Sequence, residues 1–386
     1  MNSSKEKGVL FLILFLIFVS IHMQFPVFTP LAVSLGAGSF LVGVMLSTTS
    51  FINLTGNIVA GSFIDRFGTK IFIVFPLLLL SLSLFAHTFI TETYHLFLLR
   101  VINGFILAFL TPACMTMLSS FAKNSHSQSK NMAMNTFVVT IAMTIAPVLG
   151  GMLGDRFGST GAYFMISVIT FISFLLAVLF LTQKPLKVSG KQDKKLSIIQ
   201  FVLYKPLLPV FLAAFALMFA QGTLMYELPF LSVEQGMSKD YVGRMAGVMG
   251  LGTLCILMVV FLHYLTARIR AFLGLIMLST ALCWMMFSGS IPPFSSLLLF
   301  GASIGITMPA IMTLVTDVVS EGNRGKAFAF LSAVFSVGTI TSPFIAGLIR
   351  SIVSPYFIAW IVLMFVIIIY GMLFFKVQKK EEMTHN

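Results

Sequence analysis

Residues 61–70 read GSFIDRFGTK and separate two long apolar segments of the chain. This stretch carries three charges, Asp65, Arg66 and Lys70, although only 9% of the 386 residues are charged. Gly61 and Gly68 accompany the charges, and glycine permits tight turns and close backbone approach that other residues resist. The stretch therefore predicts a short polar turn joining two apolar helices.

The overall composition indicates an integral membrane protein. Hydrophobic residues make up 58% of the chain, and the mean hydropathy of +1.02 is far above that of a soluble domain. The net charge of +12 does not indicate a nucleic-acid partner, because membrane proteins concentrate Lys and Arg in cytoplasmic loops. The three cysteines lie in apolar segments without metal-site spacing, so we expect no metal site and no cofactor.

Twelve apolar segments approach the ~20 residues that a helix needs to cross a bilayer. They lie at roughly 8–33, 39–64, 71–90, 96–120, 132–153, 161–182, 207–233, 241–264, 271–289, 295–320, 327–350 and 355–377. We therefore predict an all-α membrane protein with twelve transmembrane helices. A lysine-rich linker at 183–206 divides it into halves at 1–182 and 207–377, followed by a tail at 378–386.

The distribution of basic residues predicts the orientation. If the N-terminus is cytoplasmic, most of the 24 lysines and arginines fall on the cytoplasmic side. The opposite side receives only Arg156, Lys239, Arg244 and Arg350. The positive-inside rule then places both termini in the cytoplasm of a multi-pass cell-membrane protein.

Similar segments recur in the two halves. TPACMTML and IAPVLGG in the first half have counterparts TMPAIMTL and TSPFIAG in the second. The spacing from Pro112 to Pro309 nearly equals that from Pro147 to Pro343. We therefore expect two pseudo-symmetric six-helix halves.

Three motifs together resemble those of the major facilitator superfamily. The opening stretch is similar to its G-x-x-x-D-R-x-G-[RK]-[RK] signature, with Thr69 in place of a basic residue. RVINGF, with Arg100, resembles its R-x-x-[QN]-G element in the fourth span. APVLGG resembles the G-P-x-x-G-G element of antiporters, with Ala146 replacing the first glycine. The resemblance implies a secondary transporter that alternates between inward-open and outward-open states, close to the twelve-helix drug/proton antiporters.

The resemblance also assigns roles to two sets of residues. The opening stretch would form a conformational latch, in which Asp65 meets the positive end of the eleventh span near Arg324 in one state only. A solvated cytoplasmic turn is the alternative. The latch residues are Gly61, Asp65, Arg66, Gly68 and Lys70, and the antiporter-like element contains Pro147, Gly150 and Gly151.

Ionisable groups within the apolar segments are candidates for proton coupling, because buried charge is costly in a membrane. Glu227 in LMYELPF is the first candidate carrier, and Arg100 is its candidate electrostatic partner. A carboxylate lining the mouth of the transporter and a snorkelling arginine are the alternatives. His22 can also titrate, or serve as a packing residue, and Asp317 fits a gate better than a carrier.

The substrate should bind near the middle of the membrane, among polar groups surrounded by adaptable Met and Phe side chains. The candidate substrate-binding residues are Gln24, Asn53, Asn57, Gln221, Tyr226 and Glu227.

These features favour a proton-coupled exporter of small amphipathic molecules, either drugs or an endogenous metabolite such as a metallophore. An importer of a small nutrient or osmolyte fits the same fold. An enzyme is disfavoured, because the sequence contains no GxxxxGK[ST] loop, HExxH motif or Ser-centred elbow. The expected partners are a small-molecule substrate, protons and the lipid bilayer, and we expect a functional monomer.

Overall fold

A computed structural model describes residues 3–122, 124–183, 207–259, 264–288, 292–319 and 324–385. Every regular element in these ranges is helical. The first half contains α1 (Ser3–Met23), α2 (Phe25–Ser34), α3 (Ser39–Phe67), α4 (Ile71–Ala86), a short 3-10 turn (His87–Phe89), α5 (Thr93–Ser120) and α6 (Ser125–Phe180). The second contains α7 (Leu208–Glu234), α8 (Lys239–Leu257), α9 (Ala267–Phe287), α10 (Phe294–Val318), α11 (Arg324–Ile349) and α12 (Pro355–His385).

The predicted all-α membrane fold is confirmed. Among the described residues, 10 helical segments are long and apolar enough to cross a membrane. One of them spans α1 and α2, and another covers Ser127–Phe180, where two predicted spans meet at Gly158. The predicted span at 241–264 corresponds to α8, which is not among the 10. The predicted linker, beyond Gln183, lies outside the described residues.

The chain forms two compact units, which we describe separately. The first contains residues 1–190 together with 229–250, and the second contains 191–228 together with 251–386. In the first unit α1 packs along α6 and α3 packs along α5, while in the second α9 packs along α10. Residues 229–250 follow the predicted linker in sequence but pack with the first unit.

One helix contact occurs in both units. The Thr49 hydroxyl of α3 donates to the Arg100 carbonyl of α5 at 3.3 Å, and the Thr49 carbonyl lies against Gly104. In the second unit the Thr253 hydroxyl donates to a carbonyl of α10 at 2.9 Å, and the Thr253 carbonyl lies against Gly305. Each glycine lets two helix backbones approach closely, as is common in membrane proteins. The same type of contact therefore occurs in both units, with Gly305 four residues beyond the position that the proline repeats pair with Gly104.

A buried carboxylate joins the start of α1 to the end of α6. Glu6 is 4% exposed, and its Oε1 accepts hydrogen bonds from the Thr182 backbone nitrogen at 2.9 Å and from the Thr182 hydroxyl at 2.7 Å. The contact anchors the C-terminal end of α6 within the first unit.

The break at Gly158 predicts a specific stability effect. Gly158 has φ 73° and ψ 171°, a region that is essentially restricted to glycine. No atom lies within 4 Å of the position that a Cβ would occupy, so alanine there would add backbone strain without a clash. We expect Gly158→Ala to lower the free energy of unfolding by about 1–3 kcal/mol.

The matched control is Gly8→Ala, because Gly8 lies within α1, has no positive φ and has equally open surroundings. Thermal unfolding in detergent should show a lower Tm for Gly158→Ala alone. Equal Tm values for the two variants would contradict the strain argument.

Candidate functional site

A buried ion pair lies in the second unit between α7 and α11. The Glu227 Oε2 atom is 2.9 Å from the Arg350 Nε, which donates a hydrogen bond to it. The two side chains are 4% and 12% exposed, respectively. The sequence prediction placed Glu227 inside one span and Arg350 at the outer end of another, so it missed this partnership. Only the adjacency of α7 and α11 reveals it.

Small residues allow α7 and α11 to approach each other. A Cβ added at Gly222 would meet the Ser342 side chain, and one at Gly338 would lie 2.8 Å from the Met218 Cβ. Larger residues at these glycines would push the helices apart and separate the charges of the ion pair. The local sequence therefore sets the geometry of the pair.

A tyrosine hydroxyl completes this cluster. Tyr356 of α12 is 2% exposed, and the charges of Glu227 and Arg350 act on it. Its hydroxyl oxygen has no hydrogen-bond partner among the described residues. A buried polar atom without a partner is costly, and this one is available to form a hydrogen bond with water or a ligand that enters the cluster.

The first unit buries a second charge, on Arg100 of α5. Arg100 is 8% exposed, and its guanidinium lies 3.5 Å from the centroid of the Phe28 ring. Its Nη2 donates to the Tyr163 hydroxyl at 3.2 Å, while its Nε has no partner among the described residues. The Arg100 guanidinium is therefore buried within the first unit. A cation–π contact with Phe28 and a hydrogen bond to the neutral Tyr163 hydroxyl stabilise its charge.

Sequence reasoning missed His87, which lies beside Arg100. The His87 ring stacks on Tyr163 with centroids 4.3 Å apart, and His87 Nδ1 lies 2.7 Å from the Ser83 carbonyl, to which it donates. The Ser83 hydroxyl donates to the Asn103 side chain at 2.8 Å. A polar network therefore connects α4, α5 and α6 around Arg100. Arg100 and Asn103 belong to the RVINGF motif, whereas Ser83, His87 and Tyr163 occur singly in apolar stretches, where no sequence pattern marks them.

The other two titratable candidates have different surroundings. His22 is half-buried, and its Nδ1 donates to the Phe18 carbonyl within the same helix at 2.8 Å. Asp317 is exposed near the end of α10. Glu227 is therefore the one of these three groups that is both deeply buried and paired with an opposite charge.

The predicted substrate-binding residues are divided between the units. In the first unit Gln24 Nε2 donates to the Ser20 carbonyl at 3.1 Å, and Asn57 donates to Asn53 at 3.1 Å. In the second unit Tyr226 is fully buried, and Gln221 is half-buried. The Gln24 Oε1 and Asn57 Oδ1 atoms have no partner among the described residues, so they retain capacity to bind a ligand.

The GSFIDRFGTK stretch forms the end of α3 and the turn into α4. Gly68 has φ 90°, and its nitrogen donates to the Ile64 carbonyl at 2.8 Å. The Lys70 backbone nitrogen donates to Gln183 at 3.1 Å, which anchors the turn. Asp65 is exposed, and Gly61 has no atom within 4 Å of its Cβ position.

The antiporter-like element of α6 is a close-packed surface within the first unit. Gly150 lies against the Met23 carbonyl, and Gly151 lies against the Lys239 carbonyl at the start of α8. The Pro147 carbonyl lies against Gly243. A larger side chain at Gly150 would require α1 to move, and one at Gly151 or Gly243 would require α6 and α8 to separate.

Comparison with known proteins identifies related sequences. A sequence profile described as Major Facilitator Superfamily matches residues 10–294 and residues 210–386. The chain is 33% identical over 99 residues to a protein named Multidrug resistance protein 1 from Bacillus subtilis (strain 168). That alignment covers 26% of this chain and 25% of the relative, so the chain matches about a quarter of the relative's length.

Solved structures of similar fold cover nearly the whole chain. The nucleoside transporter NupG has a TM-score of 0.79 at 15% identity, over 96% of this chain and 99% of its own. A bacterial homologue of the human lysosomal transporter Spinster, in an inward-facing and occupied conformation, has a TM-score of 0.77 at 16% identity, over 96% of both chains. At such identities the likeness establishes the fold alone.

Proposed function

The chain belongs to the major facilitator superfamily, and we propose that it is a proton-coupled exporter of small amphipathic molecules. Members of this family are multi-pass membrane transporters of small molecules. The cargo would be a drug or an endogenous metabolite such as a metallophore. The similarity of one segment to a protein named for multidrug resistance and the antiporter-like element of α6 both favour export.

The buried Glu227–Arg350 pair carries the proposal of proton coupling. A carboxylate removed from water stays ionised only while a partner or hydrogen bonds stabilise its charge. In the state described here Arg350 provides that stabilisation at 2.9 Å. A change of state that separates the two side chains would favour protonation of Glu227, and their return would release the proton.

Arg100 would support this cycle without releasing a proton of its own. Its charge is buried against Phe28 and Tyr163, with no carboxylate of the described residues paired to it. Such a site repels protons and attracts anionic groups. In the proposed cycle the positive charge of Arg100 would keep Glu227 ionised in any state that brings the two side chains together.

The proposal is tested with purified protein in liposomes, under an imposed proton gradient. The panel contains ethidium as an amphipathic cation, dihydroxybenzoate as a metallophore-like chelator and uridine as a nutrient. We expect ethidium or dihydroxybenzoate to move against its concentration gradient as protons move in the opposite direction. Uridine moving together with protons would instead establish the importer.

The Asp65 latch gives a separate prediction. Asp65 is exposed, so Asp65→Asn removes a charge without disturbing packing. If the carboxylate meets a helix N-terminus in another state, its loss removes about 0.3–1 kcal/mol from that state. We expect Asp65→Asn to reduce transport of whichever compound of the panel the wild-type protein exports, while the Tm of the protein stays unchanged. Wild-type turnover in Asp65→Asn would leave the stretch as a simple solvated turn.

A further inference from the structure

The tetrapeptide Asp-Arg-Phe-Gly occurs twice in the first unit. One copy, at 65–68, ends α3, and the other, at 155–158, interrupts α6. Gly68 has φ 90° and ψ 164°, and Gly158 has φ 73° and ψ 171°. Both copies therefore stop a helix with the same glycine conformation, which other residues rarely adopt. Nothing in the proposed function uses the second copy.

The two copies lie at opposite faces of the membrane. Between them the chain passes through α4, α5 and the first part of α6, which makes three crossings. An odd number of crossings places the second copy on the side away from the first. The orientation predicted from the basic residues makes this the outer face.

The carboxylate of the second copy binds a helix N-terminus. Asp155 Oδ1 accepts a hydrogen bond from the Lys239 backbone nitrogen at 2.8 Å, and Asp155 Oδ2 accepts one from the Asp240 nitrogen at 3.0 Å. These are the first two residues of α8, whose free N–H groups and helix dipole favour a negative charge. Ser238 accepts from the Tyr241 nitrogen at 3.1 Å, so the first turn of α8 is well satisfied.

Glycines bring α8 close enough for this contact. Gly151 lies against the Lys239 carbonyl, and Gly154 lies against the Lys239 side chain. Further along the seam, a Cβ at Gly247 would be 2.6 Å from Val148 and one at Gly250 would be 2.5 Å from the Thr144 hydroxyl.

Asp65 differs from Asp155 in its contacts. The Asp65 side chain makes no hydrogen bond or ion pair within the described part of the first unit. The aspartate of the second copy therefore binds a helix N-terminus at one face of the membrane. The aspartate of the first copy, at the other face, binds nothing within the described part of its own unit.

We propose that Asp155 is a second conformational latch, which holds the start of α8 against α6 in the present state and releases it when the transporter changes state. Engagement of Asp155 would alternate with engagement of Asp65, so that each carboxylate stabilises the state in which its own face is closed. The inference uses the alternating access of the proposed function, but it needs neither protons nor a known substrate. Its failure is therefore distinguishable from failure of proton coupling.

Labelling of a cysteine in the seam tests the proposal. Thr144→Cys is placed in a protein that retains Cys114 but has Cys255 and Cys283 replaced by alanine. Thr144 is 7% exposed and faces Gly250, so a membrane-impermeant maleimide applied from the Asp155 side reaches it only when the seam opens. We expect Asp155→Asn to raise the labelling rate by about twofold to fivefold, from the loss of an exposed charge at a helix N-terminus.

The matched control is Arg156→Gln, which removes the adjacent exposed charge without touching α8. Asp65→Asn should lower the labelling rate, and the double variant with Asp155→Asn should fall between the single ones. The proposal is overturned if Asp155→Asn labels at the wild-type rate or no faster than Arg156→Gln. Cys114 is fully buried, so labelling of Cys114 would report unfolding. If Asp155→Asn raised the labelling of Cys114 as well as that of the introduced cysteine, the proposal would also be overturned.

Discussion

Replacing Arg350 with methionine should lower the free energy of unfolding by about 3–5 kcal/mol, the typical effect of leaving a buried charge without its partner. Methionine is flexible and close to arginine in length, so the change removes the charge with little loss of packing. Glu227, at 4% side-chain exposure, would be left in an apolar environment. Equilibrium unfolding in mixed micelles, followed by tryptophan fluorescence, measures the effect.

The double variant Glu227→Gln with Arg350→Met separates the pair from its surroundings. Replacing both members of a buried pair with neutral groups is often neutral or stabilising. We therefore expect the double variant to recover most of the stability that Arg350→Met loses, while gradient-driven transport stays absent. Losses that simply add in the double variant would show that the two side chains do not interact energetically.

The second large effect is expected from Glu227→Gln. Glutamine preserves the shape of the side chain and can still accept a hydrogen bond from Arg350, but it cannot exchange a proton. Gradient-driven accumulation of the exported panel compound should be abolished, whereas binding of that compound should persist. Equilibrium binding and uptake are measured on the same preparation, so a folding defect would appear as a loss of both.

Arg100→Ala provides the comparison for Glu227→Gln. It removes the cation–π contact with Phe28 and leaves the Tyr163 hydroxyl without its donor. We expect binding and accumulation both to fall, because the polar network of the first unit loses its centre. If Arg100→Ala lost accumulation but kept binding, Arg100 would have the role in proton coupling that we propose for Glu227.

The fold was predictable because its signals are local. Apolar length is a property of each single segment, and charge sidedness and the proline-containing repeats follow from the order of segments along the chain. The bilayer enforces helices wherever such segments cross it. The break at Gly158 was predictable in the same way, since two spans of ordinary length must meet near that residue. The one predicted span outside the 10 apolar helices is α8, which begins with Lys239, Asp240 and Arg244.

The partners of the candidate residues were not predictable, because they depend on which helices are neighbours. Glu227 and Arg350 are far apart in sequence, and Arg350 reads as an ordinary charge at the end of a span until α7 is placed beside α11. His87 lies at the end of α4 and gains its significance only from Tyr163. Asp155 belongs to a tetrapeptide that the sequence repeats, and comparison of residues 65–68 with 155–158 could have revealed it.

Proton movement that accompanies substrate in sealed liposomes is the most direct test of proton coupling through Glu227. A pH-sensitive dye trapped inside would report protons, while the exported panel compound is measured in parallel. We predict coupled proton movement for the wild-type protein and none for Glu227→Gln. Proton flux at the wild-type ratio in Glu227→Gln would exclude Glu227 as the carrier and direct attention to His22 or Asp317. Wild-type transport without any proton movement would contradict proton coupling altogether.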